Sequence, residues 1–97
     1  MAYGVRACAL TLKTYHDKGI RTVGGIVARW APPHENDTTA FAVYVSSGLG
    51  VVSDEVIPMM EYGTMRRLVE LISAYENVKR PSGADLDEGL AMAGLKP

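Results

Sequence analysis

Two consecutive prolines, Pro32 and Pro33, place the strictest constraint on how this chain can fold. A proline has no backbone N–H to donate, and it pushes the residue before it out of the helical region. A helix that reaches this pair must therefore stop near Ala31. A new element must begin after the pair, and Asn36 or Asp37 suits its start because either side chain can cap a helix N-terminus.

Before the prolines, apolar residues recur every three or four positions, which is typical of a helix with one buried face. The spacing predicts a first helix over residues 3–18, ended by Gly19, and a second over residues 20–30, whose first turn Thr22 caps. Gly24 and Gly25 each cost the second helix about 1 kcal/mol relative to alanine, and two such glycines indicate close approach of another helix or a ligand. The predicted core positions are Val5, Cys8, Ala9, Leu12, Tyr15, Val23, Ile26, Val27 and Trp30.

After the prolines, the same spacing predicts three more helices. The run FAVYV at residues 41–45 also suits a strand, but the chain offers no comparable second strand, so a helix over residues 38–47 is expected. Residues 64–78 form the clearest amphipathic helix. Its apolar stripe consists of Met65, Leu68, Val69, Ile72 and Tyr75. A small-residue helix over residues 84–95 follows the breaker KRPSG, and its composition leaves open whether it docks on the core or frays.

Length and composition indicate one small domain. A chain of 97 residues with 47% apolar residues can bury a single core. We therefore predict an all-α fold, a compact bundle of four to five short helices, with residues 1–80 as the helical domain and residues 81–97 as a C-terminal helical tail. No apolar run approaches the ~20 residues that span a bilayer, and the N-terminus lacks the pattern of a secretory signal.

Charge and motif content exclude several classes of function. The ten basic and eleven acidic residues are interspersed and leave a net charge of −1, so nucleic acid is not expected as a partner. The sequence has no glycine-rich phosphate loop, cysteine pair or nucleophile elbow. His16 and His34 lack the spacing that places two imidazoles on one helix face. We expect no metal, no cofactor and no membrane partner, and we expect Cys8 to be a buried thiol.

Five residues are candidates for a functional site. Glu76 continues the apolar stripe of its helix, and a carboxylate at the edge of a core can serve as a general acid. The structural alternatives for Glu76 are an ion pair with a cation such as Arg29 and exposure where the helix frays. Trp30 can stack on a sugar ring, although a lone tryptophan in a small domain is usually core. Glu76 is the candidate catalytic residue. The candidate ligand- or partner-binding residues are Arg29, Trp30, His34 and Glu35.

Residues 3–78 resemble a domain of bacteriophage and prophage structural proteins. In that domain a Gly-x-Arg-Ala helix and a tyrosine precede a Thr-Val-x-x-Ile helix, which leads into Trp-Ala-Pro-Pro-x-x-Asn-x-Thr and an aromatic residue. A closing helix ends in Glu-Asn. The matching positions here are Gly4, Arg6, Ala7, Tyr15, Thr22, Val23, Ile26, Trp30, Ala31, Pro32, Pro33, Asn36, Thr38, Phe41, Glu76 and Asn77. Such proteins are distantly similar to lysozyme-like hydrolases, mostly helical domains that cut the glycan strands of peptidoglycan.

The resemblance implies a fold similar to the C-terminal half of a lysozyme-like domain. Family members carry an upstream portion that opens with Asn-Pro-Gly-Asn, and lysozyme-like enzymes draw their catalytic glutamate from that earlier half. This sequence begins after it, so the resemblance implies a protein that acts by binding rather than catalysis, in the host bacterial cytoplasm or on the virion. The expected partner is a protein or a second copy of the chain, with peptidoglycan as a further candidate.

Two alternatives remain open. One is a phage-encoded inhibitor that binds a bacterial defence complex, because a small near-neutral domain of phage descent is suitable raw material for it. The other is a residual peptidoglycan glycan hydrolase, with Glu76 or Glu35 as general acid and Trp30 beneath the sugar.

Overall fold

Five α-helices make up the regular structure of that part of the chain which the structure describes. The computed structural model describes residues 1–30, 38–76 and 80–97. Its helices are α1 (Ala2–Asp17), α2 (Val23–Trp30), α3 (Thr38–Leu49), α4 (Tyr62–Glu76) and α5 (Gly83–Met92). The β-type pairing within these ranges is one isolated antiparallel bridge between Thr22 and Val56. The all-α prediction is confirmed, and the FAVYV run is helical as expected.

The apolar stripes of the helices meet in one core. Helix α5 packs mainly against α1, whereas α3 packs against both α2 and α4. The fully buried side chains include Leu12 of α1, Ile26 of α2 and Leu68 of α4. Tyr75 departs from its predicted core position: it is 42% exposed, and its ring stacks on the buried Phe41. None of the helices within the described ranges is both long enough and apolar enough to cross a membrane.

Helix α2 begins at Val23, three residues later than the spacing predicts. Thr22 caps it as expected, because its hydroxyl oxygen accepts the Gly25 N–H at 3.1 Å. The Gly24 N–H donates to the carbonyl of Ser53 at 2.8 Å, and a Cβ on Gly24 would lie 3.2 Å from that oxygen. The group that approaches Gly24 closely is therefore the backbone of the segment between α3 and α4. It is neither another helix nor a ligand, which are the two expectations from the sequence.

The C-terminal helix α5 docks on the core. Leu86 and Leu90 are buried, and Gly89 lies so close to α1 that an added Cβ would sit 2.5 Å from the Cβ of Val5. A capping box fixes the start of the helix: the Asp85 N–H donates to the Ser82 hydroxyl at 3.1 Å, and the Ser82 N–H donates to the Asp85 carboxylate at 3.3 Å. The composition left docking or fraying open, and the close contact at Gly89 decides for docking.

Candidate functional site

A cleft of about 260 Å³ lies between α1 and the C-terminal ends of α2 and α4. The α1 wall has small side chains at helical spacing, so one face of the helix leaves room for the cleft. On the α1 side, the cleft is lined by Gly4, Ala7, Cys8 and Thr11. The opposite side is lined by Trp30, Ser73 and Glu76. Two of the five candidate residues, Trp30 and Glu76, thus come together in one concave site.

Trp30 and Glu76 are joined by a hydrogen bond. The indole Nε1–H of Trp30 donates to Oε1 of Glu76 with an N–O distance of 2.5 Å. The Trp30 ring is half-buried and packs edge-on against Tyr15, with ring centroids 6.2 Å apart. Its apolar body therefore belongs to the edge of the core, while its polar tip orients the carboxylate in the cleft. The predicted core role of Trp30 is thus correct for part of the ring.

The carboxylate of Glu76 has a hydrogen-bond partner that the sequence did not predict. The alternatives to catalysis were an ion pair with a cation such as Arg29 and exposure where the helix frays. In the structure, Glu76 is the last residue of α4, and its carboxylate accepts a hydrogen bond from the indole of Trp30. Glu76 is exposed, and within residues 1–30, 38–76 and 80–97 it is the single carboxylate that lines the cleft. Glycoside hydrolysis ordinarily uses two carboxyl groups flanking the bond to be cut. This part of the site supplies one.

The remaining candidate residues are not placed in the cleft by the described structure. Arg29 lies on the exposed side of α2, and its guanidinium has no hydrogen bond or ion pair with another described residue. His34 and Glu35 lie outside the described residues, as do the predicted helix stop at Ala31 and the cap at residues 36–37. Within the described ranges, no group of three His, Cys, Asp or Glu side chains is arranged to hold a metal ion.

Cys8 is a member of the cleft that sequence reasoning did not place there. Its position on the apolar stripe of α1 predicted a buried thiol, which is confirmed by an exposed fraction of 8%. Burial, together with the nearby negative charge of Glu76, raises the pKa of the thiol from its ordinary value of 9.0 to about 12. The thiol is therefore neutral and weakly nucleophilic at physiological pH.

The raised pKa of Cys8 predicts a loss of stability at alkaline pH. Between pH 9 and about 12 the folded state keeps the thiol proton, whereas the unfolded chain releases it. The contribution of the buried thiol to the free energy of unfolding is therefore fully present below pH 9 and declines as pH rises. The decline is about 1.4 kcal/mol per pH unit for one fully shifted group. Urea unfolding from pH 8 to 10.5 should show a steeper fall for the natural chain than for Cys8→Ala. Parallel pH profiles would contradict a buried, neutral thiol.

Comparison with known proteins supports a phage origin. No family model matches the chain. The chain is 40% identical to Protein P5 of Pseudoalteromonas phage PM2 over 62 residues, which cover 58% of this chain and 39% of that protein. The chain thus spans well under half the length of this curated relative. The identity of 40% is high enough for common descent over the matched part, so the expectation of a phage or prophage source is supported.

Proposed function

We propose that this chain is a phage-derived helical domain that acts by binding rather than catalysis, with the cleft beside Trp30 and Glu76 as its ligand site. The pairing of these two side chains carries the proposal. The indole N–H holds the Glu76 carboxylate in one orientation, in which the carboxylate can also accept a hydrogen bond from a ligand. Among the described residues, no second carboxylate faces it to complete a hydrolytic pair.

The size and lining of the cleft favour a ring-shaped group of a larger ligand. Pockets for complete small molecules usually enclose about 300–1,000 Å³, and this cleft is smaller. The exposed part of the Trp30 ring offers an apolar surface. Oε2 of Glu76 has no hydrogen bond to another described residue and can accept a ligand O–H or N–H. An amino sugar of a peptidoglycan strand combines such donors with an apolar ring face, so we take cell-wall glycan as the ligand.

Co-sedimentation with purified peptidoglycan sacculi tests binding and cleavage together. The natural chain should pellet with the sacculi and release no soluble glycan fragments detectable by mass spectrometry. Trp30→Phe keeps an aromatic ring but removes the N–H that orients the Glu76 carboxylate, so it should weaken binding about tenfold, which corresponds to ~1.4 kcal/mol. Glu88→Gln, an exposed carboxylate of α5 away from the cleft, is the matched control for Glu76→Gln.

Two outcomes would contradict this function. Release of glycan fragments that Glu76→Gln abolishes and Glu88→Gln preserves would show a hydrolase. Absence of the chain from the pellet would contradict cell-wall glycan as the ligand, and a protein target, as in the defence-inhibitor alternative, would become the hypothesis to test.

A further inference from the structure

Among the residues that the structure describes, three valines are exposed on the surface outside the Trp30–Glu76 cleft. Val43 of α3 is 59% exposed, and Val52 and Val56, in the connection between α3 and α4, are 62% and 69% exposed. Single exposed apolar residues are ordinary. These three differ because each lies beside charged side chains. Val43 lines a groove that also contains arginines, and Val52 and Val56 flank two acidic residues in the sequence.

The groove lies between α3 and α4 and has a volume of about 370 Å³. Its floor exists because the two helices approach closely at Gly48, where an added Cβ would lie 2.5 Å from the Leu71 side chain. Two arginines stand at its rim, but the charge of Arg67 is compensated by Glu70 at 2.6 Å. Arg80 has no carboxylate partner among the described residues, so it supplies the uncompensated positive charge.

The segment of residues 52–56 reads Val-Ser-Asp-Glu-Val and is anchored at both sides. The carbonyl of Ser53 accepts the Gly24 N–H at 2.8 Å, and the Ile57 N–H donates to Arg21 at 2.9 Å. The segment therefore presents its side chains from a fixed backbone, which lowers the entropy cost of binding. Asp54 is exposed and forms no ion pair with any cation in the described part of the chain.

The segment and the groove match in charge and polarity. The segment is a turn, in which the Glu55 N–H donates to the carbonyl of Val52 at 3.1 Å, so Ser53 and Asp54 lie at its tip. The α4 side of the groove runs from Arg67 to Ala74, which is about 10 Å of helix. An acidic centre flanked by valines would place a carboxylate near Arg80 and an apolar side chain on Val43. Because each chain carries both surfaces, a twofold arrangement in which each copy inserts its segment into the other's groove closes upon itself.

We propose that the chain forms a homodimer in which residues 52–56 of each copy occupy the α3–α4 groove of the other. The surface is separate from the Trp30–Glu76 cleft, and this proposal does not rest on the proposed function. Complementary charge sets the pairing of Asp54 with Arg80, and burial of the exposed valines supplies the apolar part of the interface.

Sedimentation velocity between 10 µM and 1 mM tests the dimer through a charge exchange. Arg80→Asp and Asp54→Arg should each raise the dimer dissociation constant about tenfold, and the double variant should return it to within about threefold of the natural value. Lys13→Asp, an exposed charge on α1 outside the groove, is the matched control and should leave it unchanged. Circular dichroism confirms that each variant remains helical.

Three results would overturn the dimer. The first is a strict monomer at 1 mM. The second is a dimer whose dissociation constant neither single charge variant changes. The third is a double variant that dissociates as readily as the single ones. A monomer whose groove binds a free acidic peptide through Arg80 would likewise overturn self-association, in favour of an acidic segment of another protein.

Discussion

Replacing Gly89 by alanine is expected to destabilise the fold by about 2 kcal/mol or more. The added Cβ would lie 2.5 Å from the Cβ of Val5 and 2.6 Å from the backbone oxygen of Ala2. Neither atom is the free end of a flexible side chain, so α5 must move away from α1. The intrinsic helix preference of alanine over glycine, about 1 kcal/mol, offsets part of this cost. In a domain of this size the change should lower Tm by about 10 °C.

Gly4→Ala is the matched control for the Gly89 variant. Gly4 also lies in a helix, but an added Cβ there meets no atom within 4 Å, so the substitution should be neutral or stabilising by about 0.5 kcal/mol. Thermal unfolding followed by circular dichroism gives the comparison directly. Equal Tm values for the two alanine variants would show that α5 does not pack on α1 at the distance described.

Replacing Phe41 by alanine is expected to cost about 3–5 kcal/mol of unfolding free energy. Phe41 of α3 is 2% exposed, and its ring stacks on Tyr75 of α4 with centroids 4.3 Å apart and planes 3° apart. The substitution removes a large buried side chain and leaves a cavity between the two helices. Urea unfolding should show a lower midpoint with a similar slope if the fold itself is kept.

Two further variants separate burial from stacking at this position. Phe41→Leu keeps most of the apolar volume and should cost clearly less than Phe41→Ala. Tyr75→Ala loses the stacking contact from the partly exposed side and should cost about 1 kcal/mol. A loss for Phe41→Ala no larger than that for Tyr75→Ala would contradict the placement of Phe41 in the core.

The helices could be predicted from the sequence because each has a stripe that one face of a helix must bury. Val5 and Leu12 of α1 and Leu68 of α4 lie in the core where the spacing places them. The docking of α5 was beyond this reasoning, because it depends on how closely Gly89 approaches Val5, which is more than 80 positions away in the chain. Small residues permit such contact, but they carry no periodic signal that identifies the partner helix.

The sequence singled out two residues of the cleft, Trp30 and Glu76, but it did not predict the contact between them. Trp30 and Glu76 each attracted attention by residue type, yet their hydrogen bond joins positions 46 residues apart. A cation such as Arg29 was one alternative partner of Glu76, since an opposite charge is a common partner of a carboxylate. The turn of α2 instead directs the neighbouring indole toward the end of α4. Cys8 lies both on the apolar stripe of α1 and in the lining of the cleft, because the edge of the core borders the cleft at this position.

The most direct test of the binding function uses Trp30, the one tryptophan in the sequence, as its own reporter. Titrating soluble peptidoglycan fragments into the purified chain should change the fluorescence of Trp30 saturably, because a ring bound in the cleft alters the surroundings of the indole. Mass spectrometry of the same samples should find the fragments intact. An unchanged emission at millimolar fragment, or fragments cleaved by the natural chain and left whole by Glu76→Gln, would contradict a domain that binds cell-wall glycan without cutting it.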